Sequence, residues 1–233
     1  MTATVLKPLA LSIISDSICP FCFIGYRKIQ LAIDAAKREN LPLDFKLQFQ
    51  PFQLDPTLAD QPLDKREVYK KKFGAERFAA MQEQMKARGK EVGIDFSYGG
   101  VLRQTIDSHR LIDKAFKVGG EPMQRAVVEA LFSGYFEKEQ DIGSVEFLAD
   151  CAVTAGVMQS KEQAAEFVKG TELKSDVMAA IRDAQMMGVS GVPYTIVNQR
   201  YAVSGAQEPA AFLDLFRKIA REEPVATVAG ETC

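Results

Sequence analysis

Cys19 and Cys22 stand three positions apart in the stretch Ser15 to Gly25, "SDSICPFCFIG". Two thiols at that spacing can help to hold a metal, attach a haem, cross-link the fold or exchange electrons. A structural zinc site wants four ligands, usually as two close pairs. Beyond this pair the chain has only Cys151, Cys233 and a single histidine, His109, and none of these lies near another. Covalent haem attachment requires a histidine directly after the second cysteine, and Phe23 stands there. An inert buried pair of small hydrophobes stays open. A C-x-x-C at the first turn of a βαβ unit is, however, a redox signature.

The redox reading has a physical basis. A helix is expected to start at Pro20, which suits a first turn because it lacks an N–H and its φ is already helical. Cys19 then lies at the helix tip, where unpaired amides and the macrodipole favour an anion. A thiolate so placed is expected to form in the pKa range of ~3.5–7.5 rather than near ~8.5. Cys22 falls nearly one turn further on the same side and can close a small ring with Cys19. Cys19 is therefore expected to be the exposed, attacking sulfur, and Cys22 the thiol that resolves the mixed disulfide. The direction of net electron flow stays open, since related dithiols span roughly −270 to −120 mV.

The elements that must position these sulfurs are legible on either side. Leu9 to Ile14 ("LALSII") reads as a short buried strand. Ile29, Ala32, Ile33 and Ala36 recur at helical spacing, and Asn40 and Pro42 end that helix. Asp44 to Phe49 alternates, with Phe45, Leu47 and Phe49 on one face, as a second strand. From Asp64 to Met187 the periodicity is helical throughout, with no strand expected. Val128, Leu131, Phe132 and Tyr135 form one stripe there, and Val177, Ala180, Ile181 and Ala184 another. Gly119-Gly120, Gly143 and Gly156 punctuate this block, Ser144 and Ser160 are expected N-caps, and Tyr98-Gly99-Gly100 a loop. Strands return at Pro193–Val197 and Tyr201–Val203, joined by a hairpin at Asn198-Gln199-Arg200. A last helix carries Phe212, Leu215, Phe216 and Ile219.

The two ends together predict one four-stranded sheet with helices against it: an α/β, thioredoxin-like fold split by a large all-helical insertion. Residues 1–62 would form its first part (βαβ) and 188–223 its second (ββα). Residues 63–187 would be the insertion, and 224–233 a flexible tail.

Composition narrows the function. With 47% hydrophobic and 26% charged residues the chain has the balance of a globular protein rather than a disordered one. The formal charge of −2, without a basic block, recommends neither nucleic acid nor an anionic membrane as partner. The densest basic run, Lys65 to Lys72 ("KREVYKKK"), reads as a solvated helix face. The run Leu9–Ile14 is too short for a secretory h-region, and no stretch approaches the ~20 apolar residues of a membrane span. The expected address is cytoplasmic, where a close cysteine pair is more often catalytic or metal-binding than structural. Cys151, among small and apolar neighbours, reads as buried filler, and Cys233 as an incidental thiol.

"CPFC" opening a helix, with "GVSGVPYTIVNQRYAVSGAQ" far downstream, resembles the DsbA-like thioredoxin-fold oxidoreductases, and among them the cytoplasmic FrnE type. "DSHRLIDKA" (107–115) and "LFSGYFEKEQDI" (131–142) resemble the helical insertion of that group, so the likeness runs from about residue 10 to 222. The resemblance implies that Cys19 and Cys22 are the redox pair, with Pro20 and Phe21 between them as tuning and substrate-facing residues. Phe21 stands where the family usually has tryptophan. Pro193 matches the family's cis-proline facing the pair, which leaves the backbone of Val192 for an extended substrate. Ser204-Gly205-Ala206-Gln207 matches a segment before the last helix, read equally as a turn and N-cap. Asp16 matches an acidic position that either relays a proton from Cys22 or caps the loop. His109 is placed near the cleft between subdomains, packed inside or touching substrate or thiolate.

The implied activity is thiol–disulfide exchange on protein or low-molecular-weight substrates, without a bound cofactor and with glutathione as a redox co-substrate. Rival readings are a glutathione-dependent isomerase or kappa-type glutathione transferase, in which a serine commonly replaces the first cysteine, and a non-enzymatic chaperone or scaffold. Cys22 argues against the isomerase and transferase readings, since such chemistry has no use for a resolving thiol.

Overall fold

The apolar run at the start becomes strand β1 (Lys7–Ser15), which pairs in parallel with β2 (Leu43–Pro51), Leu11 opposite Leu47 and Ile13 opposite Phe49. A parallel pair needs a crossover, and helix α1 (Pro20–Arg38) supplies it. Its stripe of Ile29, Ala32, Ile33 and Ala36 is buried. The helix ends at Glu39, and Asn40 turns the chain away in the left-handed region, with φ of 55°. These coordinates are a computed structural model that describes residues 6–221. The tail expected at 224–233, with Cys233, lies outside the described residues.

The middle of the chain runs β3 (Leu63–Asp64), α2 (Lys65–Phe73), α3 (Ala75–Lys90), β4 (Val101–Leu102), α4 (Ile106–Glu137), α5 (Val145–Thr154), α6 (Lys161–Lys169) and α7 (Lys174–Met186). Ser144 and Ser160 cap α5 and α6 by accepting from the amides of Phe147 and Gln163. Gly120, at φ 66°, breaks α4 midway, and Pro122 falls in the first turn of the resumed helix.

Two expectations for this block need correction. It does contain strands: β3 and β4 pair antiparallel, Leu63 opposite Leu102 and Asp64 opposite Val101. Two-residue strands carry no period, so the pattern could not reveal them. The basic run is solvated at Arg66, Lys70, Lys71 and Lys72, but Lys65 is buried. Its N–H donates to the Gly100 carbonyl (3.1 Å), and its ammonium lies over the Tyr135 ring.

The chain closes with β5 (Tyr194–Val197), β6 (Tyr201–Ser204) and α8 (Pro209–Arg221). β5 and β6 form an antiparallel hairpin whose Asn198 and Gln199 both have positive φ, as a primed turn requires. β5 pairs antiparallel with β1, so the sheet order is β2-β1-β5-β6 and β1 is central. This is the thioredoxin-like α/β sheet that the two ends predict.

Helices cover both faces. Leu9, Leu11 and Ile13 join the main core, where Tyr26 of α1 meets Phe49 and Phe216 of α8 meets Phe45. Ile14 instead packs with Phe52, Ala184 and Val189 on the α7 side. Phe23, directly after Cys22, stacks on Phe132 (5.0 Å between centroids) and Phe136, tying α1 to the insertion. Gln124 of α4 bonds both backbone groups of Phe49, satisfying an edge strand that would otherwise lie open.

Candidate dithiol active site

Because β1 ends in the sheet centre at Ser15 and α1 begins at Pro20, the turn 16–19 sits at the end of the sheet. Cys19 is the N-cap residue of α1, and its N–H donates to the Asp16 carbonyl (3.1 Å). The Cys19 thiol donates to the carbonyl oxygen of Val192 at 3.5 Å, and the Val192–Pro193 peptide bond is cis. Gly205 N–H holds the Pro193 carbonyl at 2.8 Å, while Gln207 Nε2 bonds Ser204 O. The segment 204–207 is thus a turn that fastens the proline loop. The structure therefore brings Cys19, Cys22, Val192 and Pro193 together. Phe21 projects outward, 40% exposed, with Pro20 half-buried beside it.

Cys19 differs from expectation in one respect. Its exposure is 2%, so the sulfur at the helix tip is not open to solvent. The covering loop at Val192 comes from far along the chain, and no local pattern announces it. Cys22 is equally buried, and Cys19, Cys22 and Cys151 are all free thiols. Burial pushes the Cys22 thiol well above its ordinary range, and the hydrogen bond and charge of Cys19 push it the same way. Hydrogen bonds from the Ser15 side chain and the Asp16 backbone partly oppose this. Cys151 is raised to about 12, mainly by burial, as befits a packed filler.

Asp16 and His109 meet each other rather than solvent. Asp16 Oδ2 accepts from the Leu54 N–H at 2.8 Å, and Oδ1 lies 3.4 Å from His109 Nε2. The same Nε2 is 2.9 Å from the Phe52 carbonyl. A carbonyl only accepts, so Nε2 carries the hydrogen and donates it to Phe52, and Asp16 Oδ1 is buried beside it without a hydrogen-bond partner. Both side chains are at most 3% exposed. Of the two places left open for His109, packed inside or touching substrate or thiolate, the side chain takes a packed position that fastens the loop after β2 to α4. Among the described residues no three His, Cys, Asp or Glu side chains gather to hold a metal ion.

Three neighbours escaped the sequence reading. Ser15 bonds Cys22. Tyr69 of α2 is pushed up to about 12, first by burial and then by the charges of Cys19 and Asp16, which places it beside the site. Gly25 has no room for a side chain: a Cβ there would meet Pro193 Cγ at 2.9 Å. A glycine inside a helix costs about 1 kcal/mol against alanine, and that cost was the signal available for Gly25. Next to the motif a mostly apolar pocket of about 440 Å³ opens between Ile18, Pro20 and Phe21 on one side and Tyr69, Phe78 and Tyr98 on the other.

Sheet, crossover helix and paired thiols define a thioredoxin-fold protein with a dithiol at its first helix. The chain belongs to the family of the DSBA-like thioredoxin domain, whose model matches residues 10–217. It is similar to a probable DsbA oxidoreductase from Streptomyces coelicolor, at TM-score 0.84 and 24% identity over 97% of this chain and 96% of that one. It also resembles the cytosolic disulfide reductase DsbM from Pseudomonas aeruginosa, solved with GSH, at TM-score 0.59 and 13% identity over 91% and 100% of the two chains. A curated relative, the uncharacterized protein YwbO of Bacillus subtilis (strain 168), is 24% identical over 156 residues. That match spans 63% of this chain and 66% of YwbO.

Proposed function

We propose that this protein is a thiol–disulfide oxidoreductase that cycles Cys19 and Cys22 between dithiol and disulfide. It acts on protein or low-molecular-weight disulfides and thiols, with glutathione as redox co-substrate and no bound cofactor. The reading is carried by one observation: two free, buried thiols stand at the start of a helix with the outer one under the Val192 carbonyl, and burial holds the inner one protonated. That asymmetry separates attacker from resolver.

In the reducing direction the Cys19 thiolate attacks one sulfur of a substrate disulfide. A Cys19–substrate S–S bond forms, and the other substrate sulfur leaves as thiolate. Cys22 then loses its proton to water and attacks the Cys19 sulfur, closing the Cys19–Cys22 disulfide as the Cys19–substrate bond breaks and the second thiolate leaves. Two equivalents of glutathione return the pair to the dithiol and leave as glutathione disulfide. The positive end of the α1 macrodipole favours negative charge at Cys19. Substrate displaces the Val192 carbonyl from that sulfur, and the backbone freed there pairs with an extended peptide.

A FrnE-type role in the cytoplasm, and a division into parts 1–62 and 188–223 around an insertion 63–187, belong to the same proposal. The motifs quoted above support them. No helix among the described residues is long and apolar enough to cross a membrane. Cys22→Ser is the test: it is expected to accumulate mixed disulfides through Cys19. Turnover of dithiol-dependent substrates at the parent rate by that variant ends the reading.

A further inference from the structure

The pocket beside Pro20 and Phe21 is mostly apolar, yet two polar groups in it lack partners. Lys65 is 3% exposed and lines the pocket. Among the described residues its Nζ has no hydrogen-bond or ion-pair acceptor, and its close contact is the Tyr135 ring, 3.8 Å to the centroid. Tyr135 lines the same pocket, and its hydroxyl is buried and also has no hydrogen-bond partner. Buried polar groups are ordinarily paired, and an unpaired buried cation is still more costly. Two adjacent donors without an acceptor mark a place for one.

The rest of the lining specifies the ligand. Tyr69, Phe78 and Tyr98 supply aromatic walls, and Lys72 and Arg88 add positive charge against a single acid, Asp55. Asp55 is already engaged by Thr57 and lies 4.0 Å from Lys72. Burial lowers the Lys65 pKa to about 8, so at neutral pH the ammonium is charged and available.

We infer that this pocket binds a small aromatic carboxylate, its ring between the tyrosines and Phe78 and its carboxylate on Lys65 Nζ and the Tyr135 hydroxyl. The inference rests on the redox reading in one respect: Ile18 and Pro20 border both the pocket and Cys19, so the preferred substrate is an aromatic disulfide bearing a carboxylate. The steps are those already given. Cys19 takes one half as a mixed disulfide, the other half leaves as thiolate, and Cys22 releases the first.

Calorimetry on the full chain tests the pocket with naphthylacetate against its neutral isostere, naphthylacetamide. The acid is expected to bind about tenfold more tightly, in keeping with one charge-assisted contact. That preference should disappear in Lys65→Met and shrink in Tyr135→Phe. Equal binding of acid and amide, binding of neither at millimolar concentration, or a preference that survives in folded Lys65→Met overturns the inference. A second arm compares reduction of dithiodibenzoate with that of neutral dithiodianiline. The parent is expected to favour the acid by about tenfold in kcat/KM, and Lys65→Met to lose that ratio. An unchanged ratio removes the substrate assignment. Binding is read without thiol chemistry, so a failed pocket leaves the Cys22→Ser trapping result standing. A failed trapping result likewise leaves the acid preference standing.

Discussion

The Cys19 thiol rests 3.5 Å from the carbonyl oxygen of Val192, 173 residues further along the chain. That contact joins the first crossover helix to the loop before β5. It explains why a sulfur at a helix tip is buried, and it makes the proline loop the cover of the reactive pair.

The fit of that cover depends on Gly25. An added methyl would press on Pro193 Cγ at 2.9 Å and touch Ala206 at 3.5 Å. Gly25→Ala is therefore expected to shift the Pro193 loop, at a cost of about 1–3 kcal/mol in stability. It should also lower kcat/KM for disulfide reduction by about tenfold or more, because the loop would no longer sit true on Cys19. Thermal unfolding and turnover check both effects. A variant with parent stability and rate would show that the proline does not need its present seat.

Ser15 offers a pH-dependent test of the resolving step. Its side chain is one of two groups that hold the Cys22 thiol down against burial. Ser15→Ala should push that thiol higher still, leaving less Cys22 thiolate at neutral pH. The mixed disulfide on Cys19 should then persist about threefold longer or more, since the loss of thiolate outweighs its gain in nucleophilicity, and raising the pH should restore its decay. Rapid-mixing kinetics across pH would measure the lifetime. Equal lifetimes in parent and variant at every pH would remove Ser15 from this role.

Lys65 should cost stability while it serves the pocket. Its pKa is lowered from 10.5 to about 8 by burial, with Glu139 opposing the shift. Below pH about 8 it is charged in both states, and the full penalty of burying it is present. Between about 8 and 10.5 the folded protein sheds the proton while the unfolded chain keeps it, so stability rises with pH. At neutral pH Lys65→Met is expected to be more stable than the parent by at most about 3 kcal/mol. The gap should close above pH 10.5. Taking the difference of the two chemical-denaturation curves cancels Tyr69, Tyr98, Tyr135, Lys72 and Arg88, which face the same pocket from α2, α3, the 91–100 loop and α4. A less stable variant at neutral pH would contradict the assignment.

His109 should matter to folding rather than to chemistry. His109→Ala removes the donor to Phe52 O and the neighbour of Asp16 Oδ1, and it leaves a hole in the interior. A loss of roughly 2–4 kcal/mol is expected. Reduction of a small disulfide, assayed well below the transition, should stay within about threefold of the parent, since such a change is near 0.6 kcal/mol. A large rise in KM with parent stability would return His109 to the substrate.

The parts of this protein legible in its sequence are those set by near neighbours. The spacing of Cys19 and Cys22 and the place of Pro20 depend on residues within one helical turn. So do the stripe from Ile29 to Ala36, the alternation through Phe45, Leu47 and Phe49, and the serine caps at 144 and 160. Periodicity of side-chain direction is a property of the local backbone, and it specified both halves of the sheet. The two-residue β3–β4 ladder was too short to have a period.

Tertiary structure alone decided who faces whom. Folding covered Cys19 with Val192, turned His109 inward onto Asp16, and slid Lys65 under the Tyr135 ring. Each of these contacts joins residues from 70 to 173 positions apart. Burial and partnership at such range follow from how whole elements pack. A lysine in a basic helix or a cysteine at a helix tip therefore shows its state only once the neighbouring element has closed over it.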